Sequence, residues 1–399
     1  MVNTKEITAP IQLNETERLA LREGVRELCQ SFGNEYWRKL DAPREYPYEF
    51  VEALTKEGYL SVLIPKEYGG KGYGLAEATI ILEEIHRAGG HAAACHAQMY
   101  TMGSLLKHGS TEQKEKYLPG IAKGEIRLQA FSITEPEAGS NTTAIQTFAE
   151  KTQDGYIMNG HKNWTSRILQ SDLLLVLART KPIEEVTKKS DGMSLFLVDL
   201  REVRENQPDA LVVEPVRTMF NYATNKVWYK DMKIPNDSII GEEGKGFKYV
   251  LDGMNAERIL LSAETIGDGY FFIDEAVKYA SEREVFNRKI GENQGVQFPI
   301  ARAYASIKAA DLLRYEAAAK FDSGQPCGEE ANMAKLLSSE ASWEAANICI
   351  NTFGGNGFVD EYDVERKFRE TRMYQVAPVN NNMILSYIGQ HVLGMPRSY

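Results

Sequence analysis

The sequence predicts an α+β protein of three successive domains. Apolar residues recur at helical spacing up to about residue 125, and short strand-like runs with tight-turn dipeptides follow as far as 240. Helical spacing then returns from 241 to the end. Because helices and strands stand in separate blocks and do not alternate, segregated domains are expected, not a doubly wound sheet. We expect an N-terminal helical domain at 1–125, a middle antiparallel β domain at 126–240 and a C-terminal four-helix bundle at 241–399.

The N-terminal block carries two clear helical patterns. Asn14 or Thr16 is positioned to cap a helix that Gly33 stops. A second helix is expected through 80–85, ending at Gly89 and Gly90.

Strands of the middle block are bounded by turn residues. Asp154–Gly155 and Asn159–Gly160 are the dipeptides of tight hairpins, because both supply positive φ angles. Strand-like runs follow at 172–180 and 193–200, and an alternating run at 226–235 closes the block at Pro235. The C-terminal block predicts helices near 247–285, 294–322, 328–353 and 359–373.

Composition excludes several classes of function. The chain has 399 residues, 26% of them charged, and a net charge of −10 without a long basic run. This balance argues against a nucleic-acid partner or a basic membrane-binding patch. No apolar run reaches the length of a membrane span and no leader pattern opens the chain, so a cytoplasmic location is expected. Its four cysteines and six histidines form no CxxC or HExxH spacing, so no metal site is expected.

Two segments of the middle block suggest a ligand site. Residues 131–142, FSITEPEAGSNT, expose hydroxyl groups and backbone N–H groups, although a polar strand-to-loop transition explains that segment equally simply. KNWTS follows at 162–166 and places Trp164 two residues before Ser166. An indole can lie against a flavin ring while a hydroxyl reaches the polar ring edge. No GxGxxG follows a strand, and 241–248 lacks the residues of a P-loop.

With its other motifs, the chain resembles the acyl-CoA dehydrogenases over nearly its whole length. The segments that carry the resemblance are PKEYGGKGYG (65–74), LEEI (82–85), FSITEPEAGS (131–140), KNWTS (162–166), IPNDSIIGEEGKGF (234–247), REVFNRKI (283–290) with Gln294, and FGGNGF (353–358). Each segment alone is weak evidence, but their order and spacing together are specific.

The resemblance implies FAD as cofactor and assigns residues to it. The flavin and the start of the thioester path would be lined by Phe131, Ile133, Thr134, Gly139 and Ser140, with Trp164 and Ser166 on the isoalloxazine and Asn380 and Asn382 also in the cofactor site. The adenine and pyrophosphate part would be held by Arg283, Phe286, Gln294, Asn351, Gly354 and Gly355. In this family the second group comes from a neighbouring subunit, which implies a homodimer or homotetramer. Ser140, Asn255 and Arg258 would contact the substrate.

The catalytic base is the point at which the chain departs from the common family pattern. Most members carry a Glu after the Gly-rich turn, and an ungapped alignment puts Pro378 there. A minority, including isovaleryl-CoA and long-chain-type enzymes, carry the base in an ER pair on a C-terminal helix, which Glu257 and Arg258 match.

Helical spacing supports Glu257 independently of the resemblance. Val250, Met254, Glu257 and Leu261 fall on one stripe of a helix. A carboxylate on an apolar stripe is either functional or held by a partner such as an Arg. The spacing alone favours a Glu257 held by an Arg, whereas the resemblance and the absence of a Glu at the common position favour Glu257 as the base.

Together these features predict FAD-dependent dehydrogenation of an acyl-CoA to the trans-2-enoyl-CoA. Glu257 would take the α-proton and flavin N5 the β-hydride, and the resemblance implies an electron-transfer flavoprotein as the acceptor. Proline has no N–H, so Pro378 leaves the thioester oxygen to the amide of Val379 or to fewer donors. The alternatives are action on a carrier-protein thioester, reduction of an enoyl thioester, an oxidase, or a flavin-binding protein that has lost dehydrogenation.

Overall fold

Helices fill the N-terminal part of the computed structural model, which describes residues 9–397. They are α1 (Glu15–Gln30), α2 (Asn34–Asp41), α3 (Tyr48–Lys56), α4 (Leu75–Arg87), α5 (Ala93–His108) and α6 (Thr111–Lys123). Asn14, not Thr16, caps α1: its side chain accepts from the N–H of Glu17, whose carboxylate accepts in return from the N–H of Asn14. The helix ends at Gln30, and Gly33 precedes α2 instead of stopping α1.

One sheet forms the middle of the molecule. Its strands are β1 (Leu128–Ser132), β2 (Phe148–Lys151), β3 (Gly155–Lys162), β4 (Leu173–Arg179), β5 (Met193–Asp199), β6 (Leu211–Pro215), β7 (Asn225–Pro235) and β8 (Ile239–Ile240), with helix α7 (Leu200–Asn206) after β5. The order is β6-β7-β3-β2-β4-β5-β8, and β1 also pairs with β4. Most pairs are antiparallel as predicted, but β4 runs parallel to both β1 and β2, so the sheet is mixed.

Residues on both faces of β4 and β5 are buried. On one face, Leu175 packs in a cluster with Leu105 of α5 and Leu118 of α6. On the other face, Val176 packs in a cluster with Val203 of α7. Burial on both faces explains why these strands are continuously apolar instead of alternating.

The dipeptide Asn159–Gly160 is not a turn, contrary to the sequence expectation. It lies inside β3, where the register with β7 shifts between Met158 and Gly160. A Cβ on Gly160 would meet Oγ1 of Thr147 at 2.3 Å. The glycine therefore serves a close approach at a bulge, whereas Asp154–Gly155 does lie at the β2–β3 turn.

The C-terminal part is a helical bundle. Its elements are α8 (Gly246–Glu282), the hairpin β9 (Glu284–Val285) and β10 (Arg288–Lys289), α9 (Gln294–Asp322), α10 (Gly328–Phe353), α11 (Val364–Thr371) and α12 (Asn381–Tyr387). Three helices are long, and the short α11 takes the fourth position against α8 and α10. Helix α8 has 37 residues and is about 55 Å long.

Close packing joins the bundle to the other two parts. Helix α4 packs along α8, and α5 lies between α8 and β1. The hydroxyl of Thr101 on α5 donates to the carbonyl of Leu128 at 2.8 Å, which fixes α5 on the first strand. All four cysteines are buried and free. Within residues 9–397, no helix is long and apolar enough to cross a membrane.

Candidate active site

A buried carboxylate without a partner lies near the middle of the molecule. Glu257 of α8 is only 8% exposed. Within residues 9–397 it makes no hydrogen bond or ion pair, so the Arg-held alternative considered for this residue does not apply. Burial raises the pKa of its carboxyl, and the positive charges of His96 and Arg258 only partly oppose the rise. Such a carboxylate is a stronger proton acceptor than one exposed to water.

Tyr100 connects Glu257 with the end of β1. The negative charge of Glu257 helps to raise the pKa of the Tyr100 phenol, so the two groups are close. On its other side, the Tyr100 ring lies 5.8 Å from the ring of Phe131, between centroids. Tyr100 thus packs near Phe131, one of the predicted flavin residues, and its phenol experiences the charge of Glu257.

The two predicted flavin segments lie side by side. The carbonyl of Thr134 accepts from the N–H of Asn163 at 2.8 Å, and that of Ile133 accepts from Nζ of Lys162 at 2.7 Å. The hydroxyls of Ser132 and Thr165 are 2.9 Å apart. The structure thus brings 131–134 against 162–166.

Trp164 and Ser166 differ in their exposure to solvent. Trp164 is 57% exposed and adopts a left-handed φ of 62°, which turns it out of the sheet. Ser166 is buried, and its hydroxyl makes no hydrogen bond within the described part of the chain. Gly139 has open space where a Cβ would stand. A bare indole, a free hydroxyl and an open glycine fit a planar cofactor with a polar edge, so this side of the site can hold a flavin.

The C-terminal segment closes on the same region. Nδ2 of Asn380 donates to Oγ of Ser140 at 3.2 Å, and the Asn380 side chain caps α12. Asn382 follows in the first turn and is exposed. Val379 has a left-handed φ of 50°, and its N–H has no hydrogen-bond partner within residues 9–397.

Asn255 and Arg258 lie next to Glu257 on α8. Nη1 of Arg258 donates to Oδ1 of Asn255 at 3.1 Å. Nε of Arg258 is buried without a hydrogen bond, and burial lowers the pKa of the guanidinium despite the nearby charge of Glu257. All three residues lie within about one turn of α8.

The remaining predicted cofactor residues lie elsewhere. Arg283 is about 39 Å from Glu257 along α8. With it, at the far end of the bundle, are Phe286, Gln294, Asn351, Gly354 and Gly355, and all six are exposed. Within one chain, these six residues lie too far from Glu257 for a single dinucleotide to contact both.

The sequence reasoning missed three residues near Glu257. Arg167 directly follows KNWTS and is buried, and the ring of Tyr222 lies under its guanidinium. Glu264, two turns after Glu257, is buried beside Nδ1 of His96 at 3.1 Å. The one signal available for Arg167 was a charged residue immediately after the flavin-like segment.

Comparison with known proteins identifies the family of this chain. Three family models match: acyl-CoA dehydrogenase, N-terminal domain at 15–125, middle domain at 130–230 and C-terminal domain at 244–393. The acyl-CoA dehydrogenase FadE12 of Mycobacterium tuberculosis (strain ATCC 25618 / H37Rv) is 34% identical over 388 residues, 96% of this chain and 97% of the relative. A 3-(aryl)acrylate reductase of Clostridium sporogenes is 33% identical, covering 89% of this chain and 93% of the relative.

Solved structures give the same result. Glutaryl-coenzyme A dehydrogenase, in its complex with glutaryl-CoA, matches with a TM-score of 0.89 and 30% identity. The match covers 97% of this chain and 98% of that one. The family consists of flavoprotein oxidoreductases that bind FAD. The chain is therefore an FAD-binding oxidoreductase that belongs to the acyl-CoA dehydrogenase family.

Proposed function

We propose that this chain dehydrogenates an acyl-CoA thioester to the trans-2-enoyl-CoA and that Glu257 is the base for the α-proton. The observation that carries the proposal is the carboxylate of Glu257, which is 8% exposed and has no partner in the described chain. Its pKa is raised by burial, as a base for a weakly acidic C–H requires. No carboxylate follows Met373, so this C-terminal segment offers no rival base.

The other residues bind and orient. Trp164 and Ser166 would lie against the isoalloxazine, with Phe131, Ile133, Thr134, Gly139, Ser140, Asn380 and Asn382 completing this side of the cofactor site. When bound, FAD supplies the hydride acceptor. Asn255, Arg258 and Ser140 would hold the thioester ligand. These assignments rest on the contacts of 131–134 with 162–166, on the hydrogen bond of Asn380 to Ser140 and on the family membership.

We infer that the amide of Val379 polarises the thioester oxygen. Pro378 has no N–H to offer, whereas the N–H of Val379 is left without an intramolecular partner. A proton leaves the α-carbon more readily when such a donor stabilises the negative charge that develops on the oxygen.

The far group of cofactor residues implies assembly. Arg283, Phe286, Gln294, Asn351, Gly354 and Gly355 would bind the adenine and pyrophosphate of an FAD whose flavin lies in another subunit. A homodimer or homotetramer follows, and an electron-transfer flavoprotein is the proposed acceptor. The three functional units would be 1–125, 126–240 and 241–399.

Anaerobic flavin reduction tests the proposal. Mixing the FAD-loaded protein with a panel of acyl-CoA thioesters should bleach the flavin absorbance. Glu257→Gln should retain FAD and slow bleaching by about 10²- to 10⁴-fold, because the amide cannot accept the proton. Asp252→Asn is the matched control: it lies on the same helix and pairs with His108 at 3.1 Å, away from the site, so bleaching should be unchanged. Full-rate bleaching in Glu257→Gln would refute the base assignment.

A second direction of the same chemistry has specific support. The 33%-identical relative from Clostridium sporogenes is named a reductase. The same residues can serve reduction of an enoyl thioester, because Glu257 would then return a proton to the α-carbon. Re-oxidation of chemically reduced flavin by enoyl-CoA, compared with reduction by acyl-CoA, tells which direction dominates.

A further inference from the structure

The guanidinium of Arg167 is a buried cation that forms no ion pair within residues 9–397. The residue is 4% exposed, and its Nε and Nη1 atoms have no hydrogen-bond partner in that part of the chain. No carboxylate lies within ion-pair distance of it in residues 9–397. Taking a charge out of water is costly unless an opposite charge or a full set of hydrogen bonds replaces the water. The described residues therefore do not compensate the charge of this guanidinium.

Two phenols join Arg167 to Glu257. Cζ of Arg167 lies 4.8 Å from the centroid of the Tyr222 ring. Burial raises the pKa of the Tyr100 and Tyr222 hydroxyls, and the positive charge of Arg167 opposes the rise in both. Both phenols also experience the charge of Glu257. The cation and the proposed base therefore border one group of side chains.

The backbone fixes where this cation stands. Arg167 adopts a left-handed φ of 57°, which is uncommon for a residue with a side chain. Its N–H donates to the carbonyl of Ala223 at 2.8 Å, and its carbonyl accepts from Oγ of Ser171 at 2.9 Å. Because Arg167 follows Ser166 directly, the charge is held next to the proposed flavin segment.

A cavity adjoins Arg167, and its acidic side chains are already paired. Glu370 binds Arg366 at 3.1 Å and Lys367 at 3.0 Å. Asp41 binds Arg369 at 2.7 Å. Burial lowers the pKa of His91, which also lines the cavity, to about 4, so this imidazole is neutral. Arg167 is thus the cation of the cavity wall that has no anionic partner in the described chain.

We propose that the acyl group of the substrate ends in a carboxylate and that Arg167 binds it, with Tyr100 and Tyr222 as hydrogen-bond donors. The inference rests on the proposed function and narrows its substrate class to ω-carboxyacyl thioesters. A plain fatty acyl tail would leave the guanidinium buried and unpaired, whereas a carboxylate supplies both the charge and the acceptors that it lacks.

Paired thioesters test this inference. Each ω-carboxyacyl-CoA from glutaryl-CoA to suberyl-CoA is compared with the unsubstituted acyl-CoA of equal chain length, by anaerobic flavin reduction and steady-state kcat/KM. The FAD-loaded protein should prefer the carboxylated member of at least one pair by 10-fold or more. Arg167→Gln should lower kcat/KM for that thioester by about 10- to 100-fold, the worth of a charge-assisted hydrogen bond, and leave its unsubstituted partner nearly unchanged. Arg167→Lys should retain part of the preference.

Arg204→Gln is the matched control. Arg204 donates to the carbonyls of Ser171 and Ile168, at 2.9 and 2.6 Å, and so supports the same turn without lacking a partner. Its replacement should change both members of a pair equally. If unsubstituted thioesters are preferred throughout and Arg167→Gln affects both alike, the carboxylate inference is wrong while the dehydrogenase survives. If no thioester reduces the flavin, the proposed function itself fails. The wild-type comparison alone decides the matter should Arg167→Gln not fold.

Discussion

Two buried glutamates on α8 show how surroundings, not residue type, set the chemistry of a carboxyl. Glu257 and Glu264 are both nearly inaccessible. Burial alone would raise the pKa of each. Glu264 lies beside His96, and its interactions with His96 and His86 lower its pKa to about 2, so it remains a structural anion. Glu257 receives too little compensation, and its pKa stays raised. Of the two carboxyls, only that of Glu257 has the raised pKa that a base for this reaction needs.

The raised pKa of Glu257 predicts a pH-dependent effect on stability. The folded state favours the protonated form of this carboxyl, so its ionisation destabilises the fold. This destabilisation is absent at pH values below the pKa of the carboxyl in the unfolded state. It is complete at pH values above the pKa of the carboxyl in the folded state. Glu257→Gln should therefore raise Tm at about pH 9, and the gain should shrink as the pH falls towards about 5.

Thermal unfolding of FAD-loaded wild type and variant across this range checks the prediction. Glu344→Gln, at an exposed position of α10, is the control and should show no trend. A Tm difference for Glu257→Gln that is constant with pH would show that the carboxyl is not desolvated as described. The rate of flavin reduction should rise with pH through the same ionisation.

The sequence can reveal a site residue only when the pattern that marks it lies in neighbouring residues. The apolar stripe from Val250 to Leu261 includes Glu257, and KNWTS surrounds Trp164, so both were predicted. Arg167 was not, because its significance is that no carboxylate approaches it, and that depends on the whole fold. Pro378 was identified as a departure, but the left-handed φ of Val379 depends on contacts with α10.

At the scale of elements, Lys335 of α10 holds the loop that precedes α12. Its Nζ donates to the carbonyl of Val379 and to Oδ1 of Asn381, both at 2.8 Å. Burial lowers the pKa of this amine to about 7. The loop carries the proposed thioester donor and Asn380, so one lysine positions both.

Lys335→Met should therefore loosen the loop. We expect a loss of about 1–3 kcal/mol of stability, because two partly buried acceptors lose their donor, together with weaker FAD retention and slower flavin reduction. Lys278→Met, on the exposed side of α8, is the control and should behave as wild type. The Tm, the FAD content after gel filtration and the bleaching rate are the measurements. Unchanged bleaching in a folded Lys335→Met protein would remove the positioning role.

The crossing of α8 with α4 depends on a glycine. A Cβ on Gly267 would lie 2.4 Å from the carbonyl of Glu83 and 2.7 Å from Cβ of His86. Gly267→Ala should destabilise by about 1–3 kcal/mol, because α4 must move away. Gly253→Ala is the matched change on the same helix: its nearest atom is Oγ of Ser104 at 3.9 Å, so it should stabilise by up to about 1 kcal/mol through helix propensity. Thermal unfolding that gave both variants the same sign would contradict this packing argument.

The prediction of helices and strands from sequence succeeded where the apolar periodicity extends over many residues. It failed where tertiary contacts determine the local structure. The four C-terminal helices were predicted within a few residues, apart from α11, which starts at Val364 instead of about 359. Helices α2 and α3 were missed because each is short, and Pro43 and Pro47 separate them. The bulge at Gly160 was mistaken for a turn because the approach of Thr147 is not visible in sequence.

For the molecule as a whole, the order of helical, β and helical blocks predicted the fold class, since each block needs its own packing partner. The pairing of β4 with β1 and β2 in parallel was not predictable, because the connections that bring these strands together are long. Subunit assembly is also a property of the whole molecule. A single chain indicates it only through the surfaces that it leaves exposed to solvent.

The far end of the bundle is such a surface. Phe286 is 95% exposed with a left-handed φ of 54°, and Phe298 and Phe358 are 60% and 73% exposed. Apolar patches of this kind mark interaction sites in soluble proteins. Since Phe286 is one of the proposed adenine-binding residues, subunit association and FAD retention should be coupled.

Phe286→Ser should therefore weaken both subunit association and FAD retention. We expect the oligomer to dissociate at higher protein concentration than wild type and the FAD-to-protein ratio to fall on dilution, because the cofactor would lose its contacts with the second subunit. Leu19→Ser, at a 54%-exposed apolar position of α1, is the matched control and should alter neither quantity. Light scattering after gel filtration gives the mass, and flavin absorbance in the same peak gives the FAD content. A Phe286→Ser protein that became monomeric yet retained stoichiometric FAD would show that one subunit binds the cofactor alone, and the shared site would have to be abandoned.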